Sequence, residues 1–295
     1  MSTTAPRCQT QDNLLFAIPK KGRLHEKILK LLDGAGLSYY RPNRVDIAIC
    51  TSLPVTLVFL PASDIATYVG EGNLDIGITG QDIIAESETN VVELMKLGFG
   101  KCRLGVQTPV KDGITSPAAL AGKRIVTSFP TVTREYFKQF EADGVPTKIK
   151  YVSGSVEAAC SLGLADGIVD LVETGTTMHA AGLELISTIL QTEAVLIANP
   201  QTKRQALVNK IHQRILGYLT ATKYKMVTYN ISKEKLDEAT KITPGRKSPT
   251  INTLTNGDFS VSSMVAENDI SDIMDQLHEL GATDIVVFNI ENCRA

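Results

Sequence analysis

The stretch Asp166-Gly-Ile-Val-Asp-Leu-Val-Glu-Thr-Gly-Thr-Thr177 decides how the central part of this chain folds. Its apolar run, Gly167 to Val172, is typical of a buried strand. Around Gly175, small hydroxyl residues let backbone N–H groups and Oγ atoms converge on one anion without obstruction by a Cβ atom. A helix that starts near Thr177 would add the positive end of its dipole. The stretch therefore predicts a strand, an anion-binding loop and a helix.

Two acids, Asp166 and Asp170, precede this loop. A phosphate would repel them, so we expect them to accept hydrogen bonds from sugar hydroxyls or to coordinate a metal. The pattern is suited to a ribose 5-phosphate. The residues alone leave an alternative open, namely a buried strand with solvated acids and a threonine that caps the helix.

On both sides of this stretch, short apolar runs alternate with amphipathic segments through the first two hundred residues, which is typical of α/β proteins. We expect the run 195–198 to return the chain to its first block. Two blocks joined in this way predict a bilobed α/β fold, like that of periplasmic solute-binding proteins, with a cleft between the lobes. The predicted strands are 14–18, 45–49, 55–60, 74–80, 103–107, 124–127 and 167–172, and the predicted helices are 25–32, 63–69, 133–142 and 155–164.

The C-terminal part reads as a separate module. Leu207, Ile211, Ile215 and Leu219 recur every four residues and predict a long helix. After it, strands and helices over 226–290 follow the βαββαβ order of ferredoxin-like domains. We therefore expect four parts: a mobile tail (1–13), lobe I (14–100 and 190–221), lobe II (101–189) and an effector-binding domain (222–295).

Composition excludes several classes of function. The chain of 295 residues has 30 basic and 32 acidic side chains, and this balance lacks the basic patch of a nucleic-acid binder. No apolar run approaches the roughly 18–20 residues of a membrane helix. The five cysteines are odd in number and widely spaced, which favours free thiols in a reducing, cytoplasmic setting. The four histidines fall on predicted helices, and none is expected to be catalytic.

Several motifs together resemble the long form of the ATP phosphoribosyltransferase family, whose members start histidine biosynthesis. The segment quoted first is similar to that family's loop for phosphoribosyl diphosphate (PRPP), and Gly154-Ser-Val-Glu-Ala158 resembles the helix start before it. Ile18-Pro-Lys-Lys-Gly-Arg-Leu24, Tyr68-Val-Gly-Glu-Gly72 and Leu74-Asp-Ile-Gly-Ile-Thr-Gly80 resemble the first lobe. Pro244-Gly-Arg-Lys-Ser-Pro-Thr250 resembles a signature of the regulatory domain. The resemblance implies transfer of the phosphoribosyl group of PRPP to N1 of ATP, with Mg²⁺ and release of pyrophosphate.

The resemblance also implies roles for individual residues. The PRPP loop would comprise Glu173, Thr174, Gly175, Thr176 and Thr177, and the acids on the ribose or metal side would be Glu157, Asp166 and Asp170. ATP would be bound by Lys21, Gly22, Arg23 and Asp82. The corner Pro61-Ala62-Ser63 is neutral where many relatives carry basic residues, so phosphate contacts cannot be carried over there. Each of these residues also has an ordinary structural interpretation, such as a solvated turn or a helix-start carboxylate.

Regulation and assembly are likewise implied by the resemblance. Histidine would act as feedback inhibitor at Asn230, Ser248 and Thr250, and the chain would form a homo-oligomer, a hexamer or a dimer of the family type. Two other functions stay open at this stage. One is a non-enzymatic bilobed binding protein, and the other is a phosphoribosyltransferase that uses a different base.

Overall fold

The computed structural model describes residues 13–42, 45–141 and 145–294, so residues 1–12 of the predicted mobile tail lie outside the described residues. Its described residues form two compact units, one of residues up to 28 with 39–208 and one of residues 29–38 with 209–294. The predicted α/β class is confirmed, since helices alternate with the strands of three sheets.

The first sheet has seven strands in the order β2-β3-β4-β1-β5-β12-β6. β1 lies at its centre, parallel to both β4 and β5, and β12 returns antiparallel to β5 and β6, as the sequence predicted for 195–198. The strands are β1 (Leu14–Pro19), β2 (Tyr39–Tyr40), β3 (Ile47–Cys50), β4 (Val55–Leu60), β5 (Ile76–Gly80), β6 (Val92–Lys96) and β12 (Ala194–Ala198), and the helices between them are α1 (His25–Gly34), α2 (Ala62–Gly70) and α3 (Gln81–Ser87).

The second sheet has five strands in the order β11-β7-β10-β8-β9. β10 is the central strand, antiparallel to β7 and parallel to β8, so both of its edges are paired. Four of its six residues are buried, which agrees with the apolar run in the sequence. The strands are β7 (Cys102–Pro109), β8 (Arg124–Thr127), β9 (Lys148–Tyr151), β10 (Gly167–Val172) and β11 (Leu183–Thr192), and the helices are α4 (Pro130–Phe137), α5 (Ala158–Ser161) and α6 (Thr176–Ala180).

Two predicted helices of this sheet differ from the structure. The helix expected over 133–142 begins three residues earlier, because Pro130 occupies a first-turn position where a missing N–H costs nothing. Residue 142 lies outside the described residues. The helix expected over 155–164 shortens to α5, because Ser155 and Gly163 on either side of it both adopt positive φ values.

The C-terminal module forms a four-stranded antiparallel sheet in the order β14-β15-β13-β16, which is the predicted ferredoxin-like arrangement. One face buries Val227, Tyr229, Val261 and Leu277 in a common apolar core. The module comprises β13 (Tyr224–Ile231), α8 (Leu236–Ile242), β14 (Thr250–Thr253), β15 (Phe259–Ala266), α9 (Ile270–Leu280) and β16 (Thr283–Asn289), and the long helix α7 (Gln205–Ala221) precedes it.

Two negative expectations concern membranes and disulfides. Within the described part of the chain, no helix combines the length and the apolar character that a membrane span requires. The four described cysteines, Cys50, Cys102, Cys160 and Cys293, are free thiols. Cys8 lies outside the described residues.

Candidate active site

The loop between β10 and α6 has the predicted strand–turn–helix setting. Oγ1 of Thr174 lies 3.0 Å from Oγ1 of Thr176, and the N–H of Thr176 points toward Oγ1 of Thr174 at 3.4 Å. Gly175 is buried, whereas the three threonines Thr174, Thr176 and Thr177 are exposed. A cavity of about 310 Å³ opens over this loop, and it is lined by Arg23 and residues 171–178. We call it the loop cavity.

Gly175 is required by the backbone of this loop. Its φ of +83° lies in the left-handed region, where a residue with a side chain is strained. A Cβ atom at this position would also lie 3.4 Å from the imidazole ring of His179. A glycine therefore lets the chain turn from the strand into the helix without backbone strain.

The structure does not bring Asp166 to the loop. Asp166 precedes the first residue of β10, whereas the loop follows the last, and a six-residue strand spans roughly 15–20 Å. Its carboxylate accepts hydrogen bonds from the backbone N–H, Nε and Nη2 of Arg124 at 2.9, 3.1 and 2.8 Å. These bonds to Arg124 lower the pKa of Asp166 to about 2. Of the three predicted acids, Asp166 is therefore the one that the structure places at the far end of β10, paired with Arg124.

Asp170 and Glu157 form a pair of acids near the other end of β10. Oδ1 of Asp170 accepts a hydrogen bond from the N–H of Leu171 at 2.8 Å. Burial raises the pKa of Asp170, this hydrogen bond opposes the rise, and the charge of Glu157 adds to it. Glu157 immediately precedes α5, makes no capping hydrogen bond with its side chain and is half-buried. Two carboxylates that repel each other in this way favour a ligand that brings positive charge or hydroxyl donors.

Arg23 joins the first sheet to the loop between β10 and α6. Its Nη1 lies 3.5 Å from Oε2 of Glu173, and its Nη2 donates a hydrogen bond to Sγ of Cys102 at 3.0 Å. Gly22, immediately before it, has a φ of +97° and lies in open space. The turn after β1 therefore reaches the second sheet through one guanidinium group.

A second cavity, of about 200 Å³, shares Arg23 and Leu171 with the first, and we call it the nucleotide cavity after the predicted role of its residues. All four residues predicted to bind ATP line it, so the structure brings them together. Ala62 of the neutral corner 61–63 also lines it. The full lining is Pro19, Lys21, Gly22, Arg23, Leu24, Ala62, Gly80, Asp82, Ile83, Phe129 and Leu171.

Asp82 is held firmly at the start of α3. Only 3% of the residue is exposed, and its Oδ1 accepts a hydrogen bond from the hydroxyl of Thr192 at 2.7 Å. The same hydroxyl accepts a bond from the N–H of Asp82 at 3.0 Å. Because a buried carboxylate needs hydrogen-bond donors, this arrangement fixes its direction before any ligand arrives.

Sequence reasoning missed several residues of this site. Phe129 and Leu171 provide apolar walls for the nucleotide cavity. Leu171 was hidden within an apolar run, and Phe129 follows the predicted strand 124–127 in a segment with no binding motif. Cys102 and Thr192 lie opposite each other in the register of β7 and β11. Only the pairing of distant strands reveals them, since β11 was not predicted at all.

In the C-terminal module, Ser248 and Thr250 line one cavity of about 300 Å³, together with Arg246, Lys247 and Arg294. Asn230 does not line it. Its Nδ2 instead donates a hydrogen bond to Oδ2 of Asp284 at 2.9 Å. The predicted effector residues are therefore brought together only in part, because Asn230 lies two strands away from Thr250 in the sheet.

Comparison with known proteins agrees with this geometry. The family model described as ATP phosphoribosyltransferase matches residues 61–217, and a model described as the C-terminal domain of the same family matches residues 221–292. The ATP phosphoribosyltransferase of Yarrowia lipolytica is 51% identical over 96% of this chain and 97% of its own length. That of Saccharomyces cerevisiae is 50% identical over 96% of this chain and 97% of its own.

A solved structure matches as well. The ATP phosphoribosyl transferase (HisG:HisZ) complex from Thermotoga maritima contains a chain that is 32% identical, with a TM-score of 0.59. The match covers 69% of this chain and 98% of that one. The chain therefore belongs to the ATP phosphoribosyltransferase family, the transferases that begin histidine biosynthesis by moving the phosphoribosyl group of PRPP to N1 of ATP and releasing pyrophosphate.

Proposed function

We propose that the loop cavity binds PRPP and that the nucleotide cavity binds ATP. One observation carries this assignment: Arg23 and Leu171 line both cavities, so molecules bound in the two would meet at their shared wall. A transfer between two substrates requires such contact, since bringing the reacting atoms together supplies much of the rate enhancement.

The loop is suited to the 5-phosphate of PRPP. The N–H groups of residues 175–177 and three exposed threonine hydroxyls surround the turn at Gly175. Such a nest of amides binds an anion without a positive side chain. Glu173 would be held away from the phosphate by its contact with Arg23.

Asp170 and Glu157 are suited to the ribose hydroxyls and to Mg²⁺. Within the described residues there is no group of three or more His, Cys, Asp or Glu side chains that could hold a metal. Mg²⁺ usually takes one or two carboxylates and completes its shell with substrate phosphates and water, so this acid pair fits it. When bound, Mg²⁺ would neutralise charge on the diphosphate of PRPP.

Catalysis in this site depends on position and charge. C1 of the ribose gains positive character as pyrophosphate departs, and a guanidinium group stabilises the negative charge of the leaving group. Arg23 is suited to that task, with Lys21 exposed two residues earlier. Asp82, already oriented by Thr192, would accept a hydrogen bond from an amino or hydroxyl group of the nucleotide.

Release of pyrophosphate tests these assignments. With Mg²⁺ and PRPP, the purified chain should release pyrophosphate when ATP is the acceptor, but not with GTP or free nucleobases. Gly175→Val should weaken PRPP binding measured by calorimetry by about tenfold or more, whereas Gly182→Ala, which has a similar φ of +70° but lines neither cavity, controls for backbone strain and should keep it. Unchanged PRPP binding in Gly175→Val would contradict the loop assignment. Tight binding of another solute without PRPP binding would instead favour a binding protein.

The C-terminal module is proposed to bind histidine as a feedback inhibitor. The cavity at Ser248 and Thr250 carries hydroxyls for an amino group and three cationic side chains for a carboxylate. Thr250→Ala should raise the histidine concentration for half-inhibition by about tenfold and leave uninhibited turnover unchanged. Asn252→Ala, also exposed on β14 but outside the cavity, is the matched control. Equal inhibition of Thr250→Ala and the wild type would contradict this site.

Assembly and location complete the proposal. A homo-oligomer, a hexamer or a dimer of the family type, agrees with the exposed Val286 and Phe288 on the open face of the C-terminal sheet. Sedimentation velocity would measure it, and a monomer at micromolar concentration would contradict it. A cytoplasmic location agrees with the free thiols of Cys50, Cys102, Cys160 and Cys293, since disulfides are rare in that compartment.

A further inference from the structure

A cysteine outside every predicted site contacts the proposed catalytic arginine. Sγ of Cys102 accepts a hydrogen bond from Nη2 of Arg23 at 3.0 Å. Cys102 is only 7% exposed and is the first residue of β7, so the strand holds the sulfur in place. The other nitrogen, Nη1, faces Glu173 of the PRPP loop at 3.5 Å.

The register of the sheet ties this cysteine to the acid of the nucleotide cavity. Cys102 lies directly opposite Thr192 in the antiparallel pair of β7 and β11. Residues in such a pair extend their side chains from the same face of the sheet. The hydroxyl of Thr192 binds Asp82, and the thiol of Cys102 binds Arg23. Two paired positions on neighbouring strands therefore bind the carboxylate of Asp82 and the guanidinium of Arg23, and both of these groups line the nucleotide cavity.

The chemistry of a thiol explains why a cysteine suits this position. A carboxylate there would hold Arg23 more strongly but would neutralise its charge, and an aliphatic residue would hold nothing. Burial raises the pKa of the Cys102 thiol, although Arg23 opposes the rise. The neutral sulfur thus accepts a hydrogen bond without adding another negative charge beside the guanidinium, which already faces Glu173. Without this bond, the guanidinium of Arg23 would be drawn toward Asp82, whose negative charge attracts it.

We infer that Cys102 is a positioning residue, which holds the Arg23 guanidinium between the loop cavity and the nucleotide cavity so that it meets the departing pyrophosphate. This inference rests on the proposed function, because it assumes that Arg23 acts on pyrophosphate.

A double-mutant cycle tests the inference on the full chain. Cys102→Ala should lower kcat/KM for PRPP by about tenfold, and Cys102→Ser, which restores a polar acceptor, should recover most of it. In the Arg23→Ala background, Cys102→Ala should change kcat/KM by less than about twofold, because the group that it positions is gone. Cys50→Ala is the matched control: Cys50 is 6% exposed, lies in β3 and lines neither cavity, so it should keep wild-type kcat/KM.

Three other outcomes would contradict the positioning role, and the last of them would also contradict the proposed role of Arg23. If Cys102→Ala reduces kcat/KM equally with and without Arg23, its effect is general destabilisation and the positioning role is wrong. The same holds if Cys102→Ala is fully active while Arg23→Ala is not, and then the proposed function still stands. If Arg23→Ala itself keeps wild-type turnover, the role of Arg23 in the proposed function is wrong, and the positioning role is wrong with it.

Discussion

The two ends of strand β10 carry the same residue type in opposite electrostatic states. At its start, the Asp166 carboxylate pairs with Arg124, and its pKa falls to about 2. Toward its end, burial raises the pKa of Asp170, and the nearby Glu157 repels its charge. The charge of Asp166 is thus stabilised by a partner within the protein, whereas burial and a second acid disfavour the ionised form of Asp170.

This difference is the basis on which we propose that Asp166 is a structural acid and Asp170 a functional one. When a carboxylate is already paired, its partner stabilises the ionised form and occupies the oxygen atoms that a ligand would need. An acid with a raised pKa next to a second acid gains energy when a hydroxyl donor or a cation arrives, and such residues concentrate at functional sites. The four predictions below test whether the two ends of β10 divide in this way.

The largest effect should come from Asp170→Ala. Removing the carboxylate takes away the proposed acceptor for the ribose hydroxyls, and we expect kcat/KM for PRPP to fall at least about thirtyfold, or roughly 2 kcal/mol of transition-state stabilisation. Steady-state release of pyrophosphate measures it. Asp170→Asn keeps the shape without the charge and should show a similar loss. Wild-type kinetics in both variants would contradict a functional role for Asp170.

Gly175→Val should lower kcat/KM by about tenfold or more. A β-branched residue resists a φ of +83°, and its side chain would press on the ring of His179. The loop amides would then lose their common direction. Gly175→Asn, which tolerates left-handed backbone, should lose less than Gly175→Val. Equal losses in the two variants would show that backbone conformation is not what matters there.

The pH dependence should sharpen the comparison. The ionised form of Asp170 is proposed to act, and its pKa is raised above 3.8, so kcat/KM should decline as the pH falls through that raised value. The acid limb of the pH profile should therefore lie above the range of an ordinary aspartate. In Glu157→Gln it should move to lower pH, because that variant removes a charge that raises the pKa of Asp170. A limb that is the same in the wild type and in Glu157→Gln would contradict the pairing.

Asp166→Asn should have the smallest effect on catalysis, with kcat/KM within about twofold of the wild type. Its effect should appear in stability instead. The ordinary pKa is 3.8 and the folded value is about 2, so the stabilising contribution is present above pH 4 and is lost as the pH falls from about 4 to 2. Thermal unfolding of the wild type and Asp166→Asn should differ at pH 7 and converge near pH 2. A large loss of activity would restore Asp166 to the catalytic site.

Sequence patterns predicted the α/β class, the central strand β10 and the βαββαβ module, because long apolar runs and clear helix starts carry strong local signals. The edge strand β11 escaped prediction because its residues are mostly half-buried and its pairing with β7 contains two shifts of register. The position of Asp166 could not be predicted because only three residues separate it from Asp170 in the sequence, whereas the strand places the two acids toward its opposite ends. Cys102 and Thr192 required strand pairing that no local pattern encodes.

A crystal structure with PRPP and Mg²⁺ tests the central claim most directly. We expect the 5-phosphate within hydrogen-bond distance of the N–H groups of residues 175–177 and the ribose hydroxyls beside Asp170. Asp166 should still be paired with Arg124. A 5-phosphate bound away from this loop, or a ribose seated at Asp166, would contradict the account.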